Sequence, residues 1–258
     1  MSDPEVPVER FNPQPDPPKV MSTAQTLTSI FFEPGETFKS LRERPRFLIA
    51  GIIIVVLFTA YYGSFVWRIG AENIARAQIE SRTPDATPEQ IEQQLAMQRS
   101  PIVKVITYGS FPIVFAVIFA AGAGLYLLGC MLMGKSLSFK QALSVWVYSS
   151  FPPMVVYVVI NLILLFLKNP DDIDATALNS GLARANPSIL VDTKAQPLLG
   201  TILGSFDLIQ FFGLFLAAIG LKTVGKLSSG SAWGVVLGIW CLGLILKVLM
   251  SMIFGTAM

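Results

Sequence analysis

Two ionisable residues stand inside otherwise apolar sequence, Asp207 and Lys247. A carboxylate and an ammonium group at membrane depth would form an ion pair, hold a cation or carry a proton. An isolated charge there costs at least a few kcal/mol. Asp207 lies nine residues from the outer end of its run near Leu198, and Lys247 seven from the end near Phe254. At 1.5 Å per residue these depths are roughly 13 and 10 Å. Asn161 lies near the same level, and Gln210 is one turn deeper than Asp207. The spacing therefore predicts an intramembrane polar cluster of Asp207, Lys247, Asn161 and Gln210. It would serve as a structural staple or as part of a transport path.

Other chemistry is poorly supplied. The chain has no histidine, and so lacks the commonest general base and metal ligand. Cys130 and Cys241 both fall in apolar runs without clustered spacing, so they read as two small buried apolar residues. There is no Gly-x-Ser-x-Gly and no His-Glu-x-x-His, and the spans hold only one acid. No catalytic residue, cofactor or metal is expected, and the chain reads as a non-enzyme. A net charge of +2 without a basic, aromatic-interleaved stripe argues against nucleic acid.

The elements that position these residues are five apolar runs, near Phe47–Trp67, Val105–Met133, Ala142–Leu167, Leu198–Leu221 and Leu227–Phe254. Each reaches the roughly 20 residues that a helix needs to cross the hydrocarbon core. Hydrophobic residues make up 53% of the chain and charged residues 14%, against about 25% charged in ordinary soluble domains. The expected fold is all-α: a polytopic bundle of five transmembrane helices, preceded by an interfacial amphipathic helix. Residues 1–21, rich in proline, read as a disordered cytoplasmic tail. Residues 22–46 read as a juxtamembrane amphipathic segment lying in the cytoplasmic interface, with Leu27, Ile30 and Phe31 on one face, then Phe38 and Leu41. Residues 47–258 form the membrane domain, with outer connections near 68–104 and 168–197. No cleavable signal peptide is evident in the polar first 46 residues.

Basic residues are dense before the first run (Lys39, Arg42, Arg44, Arg46) and recur without acids at Lys135 and Lys140, and at Lys222 and Lys226. This density puts the N-terminus in the cytoplasm and the C-terminus outside. Tyr61, Tyr62, Trp67 and Tyr108 would mark the outer interface, and Trp146, Tyr148 and Trp233 the inner one. In the first outer connection, Thr87-Pro88-Glu89-Gln90 is a capping box that predicts a helix over 88–98, after a helical continuation of span one to about Ser81. Gly230, Gly234 and Gly238, and likewise Ala116, Ala120 and Gly124, stand four apart. Such stripes let helix backbones approach, within the bundle or in a homodimer. Tyr108-Gly-Ser-Phe-Pro112 is echoed by Tyr148-Ser-Ser-Phe-Pro152, the form that an inverted repeat would take.

Three stretches together carry a family resemblance: Phe31-Phe-Glu-Pro-Gly-Glu-Thr-Phe-Lys-Ser-Leu41 before the first span; Ala142-Leu-Ser-Val-Trp-Val-Tyr-Ser-Ser-Phe-Pro152 at the third; and Leu216-Ala-Ala-Ile-Gly-Leu221 with Ser231-Ala-Trp-Gly-Val-Val236 at the fourth and fifth. Over about Leu27–Met252 the chain resembles the Yip family, the Rab/Ypt-interacting membrane proteins, in its bacterial form. The resemblance implies a non-enzymatic integral membrane protein, a scaffold or adaptor for membrane partners, in trafficking or as an accessory to an ABC-type exporter. It implies the bacterial inner membrane, with the lipid bilayer and other membrane proteins or a second copy as partners. The Asp-Leu-x-Gly-Pro motif of eukaryotic Rab-binding members is absent from this chain. The alternative function is a small-solute or ion transporter or channel component that uses the Asp207–Lys247 pair.

Overall fold

In lipid every backbone polar group must be satisfied within the segment, and helices do this. The computed structural model describes residues 21–83, 85–193 and 195–254, and within them the regular structure is helical. Two short helices come first, α1 (Thr23–Ser29) and α2 (Pro34–Glu43). The first span is α3 (Leu48–Ile69). It is followed by the pair α4 (Ala71–Arg82) and α5 (Pro88–Gln98). The second run is α6 (Pro101–Gly109) and α7 (Phe111–Leu132), and the third is α8 (Phe139–Leu167). After a connection holding the four-residue α9 (Ala177–Ser180), the fourth run is α10 (Pro197–Gly204) and α11 (Leu208–Val224), and the fifth is α12 (Ser229–Phe254). Proline opens α2, α5, α6 and α10 at the first helical position, where its missing N–H costs nothing.

The central helix is α8, which packs against α3, α7 and α11. Close approach is secured by glycines that the spacing argument did not select. Gly122 lies under the indole of Trp146, where no Cβ would fit. Gly129 meets Val235 where α7 passes α12. The stripes that the spacing did select point the other way. A Cβ at Gly124, Gly230, Gly234 or Gly238 would meet nothing within 4 Å, and Ala116 and Ala120 are exposed. Within one chain these two stripes are outer faces of α7 and α12.

The segment before the first span docks into the base of the bundle. Ile30, Phe38 and Leu41 have no exposed surface and join the core made by the spans. Thr26 hydrogen-bonds the hydroxyl of Tyr148 at 2.8 Å, and Gln141 donates to the carbonyl of Arg42 at 3.1 Å. The base of the bundle is therefore built from α2, the α7–α8 turn and the α11–α12 turn.

At the opposite end the chain departs from continuous helices. Gly70, with φ 89°, ends α3 and turns the chain into α4. The Thr87–Gln90 capping box is formed in both directions, and α4 and α5 close on a small core of Ala75, Ile79, Ile91 and Leu95. Arg99 pairs with Glu72 and Arg76 with Glu92 across this hairpin. Two aromatic assignments change. Trp67 is exposed, but Tyr61 is fully buried and Tyr148 nearly so, because both face α8 contacts or the docked α1 rather than headgroups. The five-residue echo has two different roles. Phe111-Pro112 starts α7 after a break at Ser110, whereas Pro152 lies inside an unbroken α8. The proposed disordered tail, residues 1–21, lies outside the described residues except for Met21, whose N–H donates to Ser40 Oγ at 3.0 Å.

Candidate functional site

The fourth run is a bent pair of helices. Its halves α10 and α11 meet at 44°, with Ser205, Phe206 and Asp207 between them. Asp207 is not in mid-helix. It is the N-cap of α11, in extended backbone, and its Oδ1 accepts the N–H groups of Ile209 at 2.9 Å and Gln210 at 3.3 Å. A carboxylate there satisfies orphan helix donors and faces the positive end of the helix dipole. Its Oδ2 accepts from the Asn186 amide at 2.9 Å. Leu208 N–H donates to the Ala185 carbonyl, so the 168–197 connection is pinned to the break twice. On the α12 side, Phe206 and Phe211 close the break against Trp240, with ring centroids 5.4 and 5.8 Å away.

Asn161, fully buried on α8, pins the same connection one step earlier. Its side-chain amide donates to the Tyr157 carbonyl, while Oδ1 accepts the N–H groups of Leu182 and Ala183. The chain can approach so closely because Gly181 has φ 84° and no Cβ. A Cβ there would stand 3.1 Å from Asn161 Oδ1 and 3.0 Å from the Tyr157 ring. Ile173, Ala177 and Leu178 then bury themselves against Tyr61, Phe65 and Leu165. The connection is thus a folded cap on the far end of the bundle.

Of the four polar residues expected at one level, the structure joins Asp207 to Gln210 through a backbone N–H. It places Asn161 on the same folded connection, through Leu182 and Ala183. Lys247 is exposed on α12, and no ion pair links it to Asp207 among the described residues. Only an unbroken fourth helix would set Asp207 at the level of Lys247, and the break gives Asp207 other partners. The residue that the sequence reading missed is Asn186. Its signal was Asn186-Pro187-Ser188, an Asx turn in which Asn186 Oδ1 accepts the Ser188 N–H at 3.2 Å. The cysteines also separate, since Cys130 is buried but Cys241 is exposed on the outer face of α12. Among the described residues no three His, Cys, Asp or Glu side chains group as metal ligands.

Among the described residues four helices are each long and apolar enough to cross a bilayer, and the bent α10–α11 pair supplies a fifth candidate. The chain is a polytopic, all-helical integral membrane protein. The family model of the Yip1 domain matches residues 28–252, nearly the whole chain, which therefore belongs to the Yip1 domain family. No curated protein and no solved structure matches it.

Proposed function

We propose that this Yip1 domain protein is a non-enzymatic scaffold or adaptor that gathers other membrane proteins, or further copies of itself, in the lipid bilayer. The observation that carries the reading is the open glycine face of α12, where a Cβ at Gly230, Gly234 or Gly238 would meet nothing within 4 Å among the described residues. Without a hydrophobic drive between helices in lipid, association depends on close backbone packing, and small residues permit it. The family's bacterial form and the density of basic residues support the bacterial inner membrane, with the N-terminus cytoplasmic and the C-terminus outside. An ABC-type exporter or a trafficking assembly is the kind of partner in view. The test is purification in mild detergent from native membranes, with mass spectrometry of the intact complex. A stoichiometric partner or homo-oligomer that Gly234→Leu dissociates supports the scaffold. A monomer that brings nothing with it counts against the scaffold.

A second reading, a transporter component, draws on the broken fourth span, since discontinuous helices with exposed half-helix ends form substrate sites in transporters. Solute flux abolished by Asp207→Asn, with the bundle still assembled, would favour it.

A further inference from the structure

The base of the bundle contains an open-sided cavity of about 320 Å³, at the small end of the range of ligand sites, roughly 300–1,000 Å³. Its wall comes from three separate parts of the chain: Arg42 and Glu43 ending α2, Lys135 and Ser136 in the α7–α8 turn, and Gly225 and Lys226 in the α11–α12 turn. Three cations and one anion therefore converge on it. Glu43 is engaged by the neighbouring Arg42 at 3.8 Å. Neither Lys135 nor Lys226 forms an ion pair among the described residues. We propose that this cavity binds the phosphodiester headgroup of an anionic phospholipid.

The wall is held in place by its backbone. Gln141 fixes the carbonyl of Arg42 to the start of α8. Gly134 and Lys226 both adopt left-handed conformations, with φ 70° and 52°, and such turns set the direction of the lysines that flank or occupy them. Lys226 is the one non-glycine residue with positive φ among the described residues. Gly225 beside it packs so closely that a Cβ would stand 2.7 Å from the Leu221 carbonyl and 3.1 Å from Cys130 Sγ. The turn that presents Lys226 is thus locked onto α7.

The choice of a lipid over a soluble phosphate follows from what adjoins the cavity. Met131, Leu132 and Met133, immediately before Gly134-Lys135, are 59%, 84% and 45% exposed. They leave apolar surface exposed round the end of a span beside the cavity, where acyl chains would lie while the headgroup reached the basic wall. Basic pockets between transmembrane helices hold anionic headgroups in this way.

The experiment is native mass spectrometry of the full chain in a neutral detergent, titrated with phosphatidylglycerol or phosphatidylcholine. The wild type is expected to retain phosphatidylglycerol preferentially. Each of Arg42→Gln, Lys135→Gln and Lys226→Gln should weaken it roughly fivefold, and the triple variant on the order of a hundredfold. Lys104→Gln with Lys168→Gln, at the far end, should change nothing. Thermal melting by tryptophan fluorescence accompanies each variant. If the triple variant is unfolded, the single variants decide. Equal retention of both lipids, or undiminished phosphatidylglycerol binding in folded variants, overturns the proposal. Displacement of the lipid by millimolar glycerol phosphate overturns the lipid assignment in favour of a soluble anion.

Discussion

The ring of Phe38 occupies the space that Gly220 leaves open. A Cβ on Gly220 would stand 3.0 Å from Phe38 Cε1 and 2.6 Å from Val145 Cγ1. One contact thus joins the segment before the first span to the fourth and third spans. Gly220→Val should displace α2, at a cost of about 1–3 kcal/mol for overpacking. Phe38→Ala should cost about 3–5 kcal/mol through the cavity left. Both should speed tryptic cleavage after Arg42 while the spans stay intact. Wild-type resistance in both variants would show that α2 is not held by this contact.

Asn161 accepts two backbone N–H groups, and among the described residues no other acceptor serves them. Removing the acceptor should cost about 1–3 kcal/mol per unsatisfied donor. Asn161→Leu is expected to speed hydrogen exchange at Leu182 and Ala183, while Asn161→Asp, which keeps an oxygen there, should preserve more of the protection. Equal exchange in the two variants would refute the role of the oxygen.

Asp207 acts as a helix cap. Asp207→Ala should destabilise the fold by about 0.5–2 kcal/mol, with Asp207→Asn milder because asparagine also caps. A double-mutant cycle with Lys247→Met should give a coupling of less than about 0.5 kcal/mol, as for sites without shared partners. A coupling of several kcal/mol would restore the ion pair.

Glu89, in the first turn of α5, has its carboxyl held below the ordinary value of 4.5 by its own backbone N–H and the Thr87 hydroxyl. A lowered folded value means that its contribution is complete above about pH 4.5 and is lost as pH falls through that lowered value. Below pH 4.5 the wild-type α4–α5 hairpin should therefore lose more exchange protection than Glu89→Gln does. Parallel pH profiles in the two proteins would dismiss this.

That several helices are long and apolar enough to cross a bilayer was legible, because 20 apolar residues are a strong and local signal. The α5 capping box was legible for the same reason, since its hydrogen bonds run between Thr87 and Gln90, three residues apart. The break in span four was not. An aspartate that caps a half-helix and an aspartate in mid-span look alike when apolar residues flank both. Leu208 N–H reaches Ala185 across the fold, and no local pattern announces that. The glycine stripes failed differently. Helices apolar on every side carry no polar face to show which way a stripe points, so spacing revealed that α12 could pack closely but not that its glycines face outward.

The folded connection also sets an order of assembly. At eight residues, α10 is roughly 12 Å long, well short of the hydrocarbon core. It has no independent claim to a transmembrane position while the chain is being made. Asn161 emerges from the ribosome before its partners Leu182 and Ala183, which lie 21 and 22 residues later, and Asp207 follows Asn186 by 21. The far end of the bundle is therefore sealed late in biogenesis, by polar contacts made only after span three is already in the bilayer.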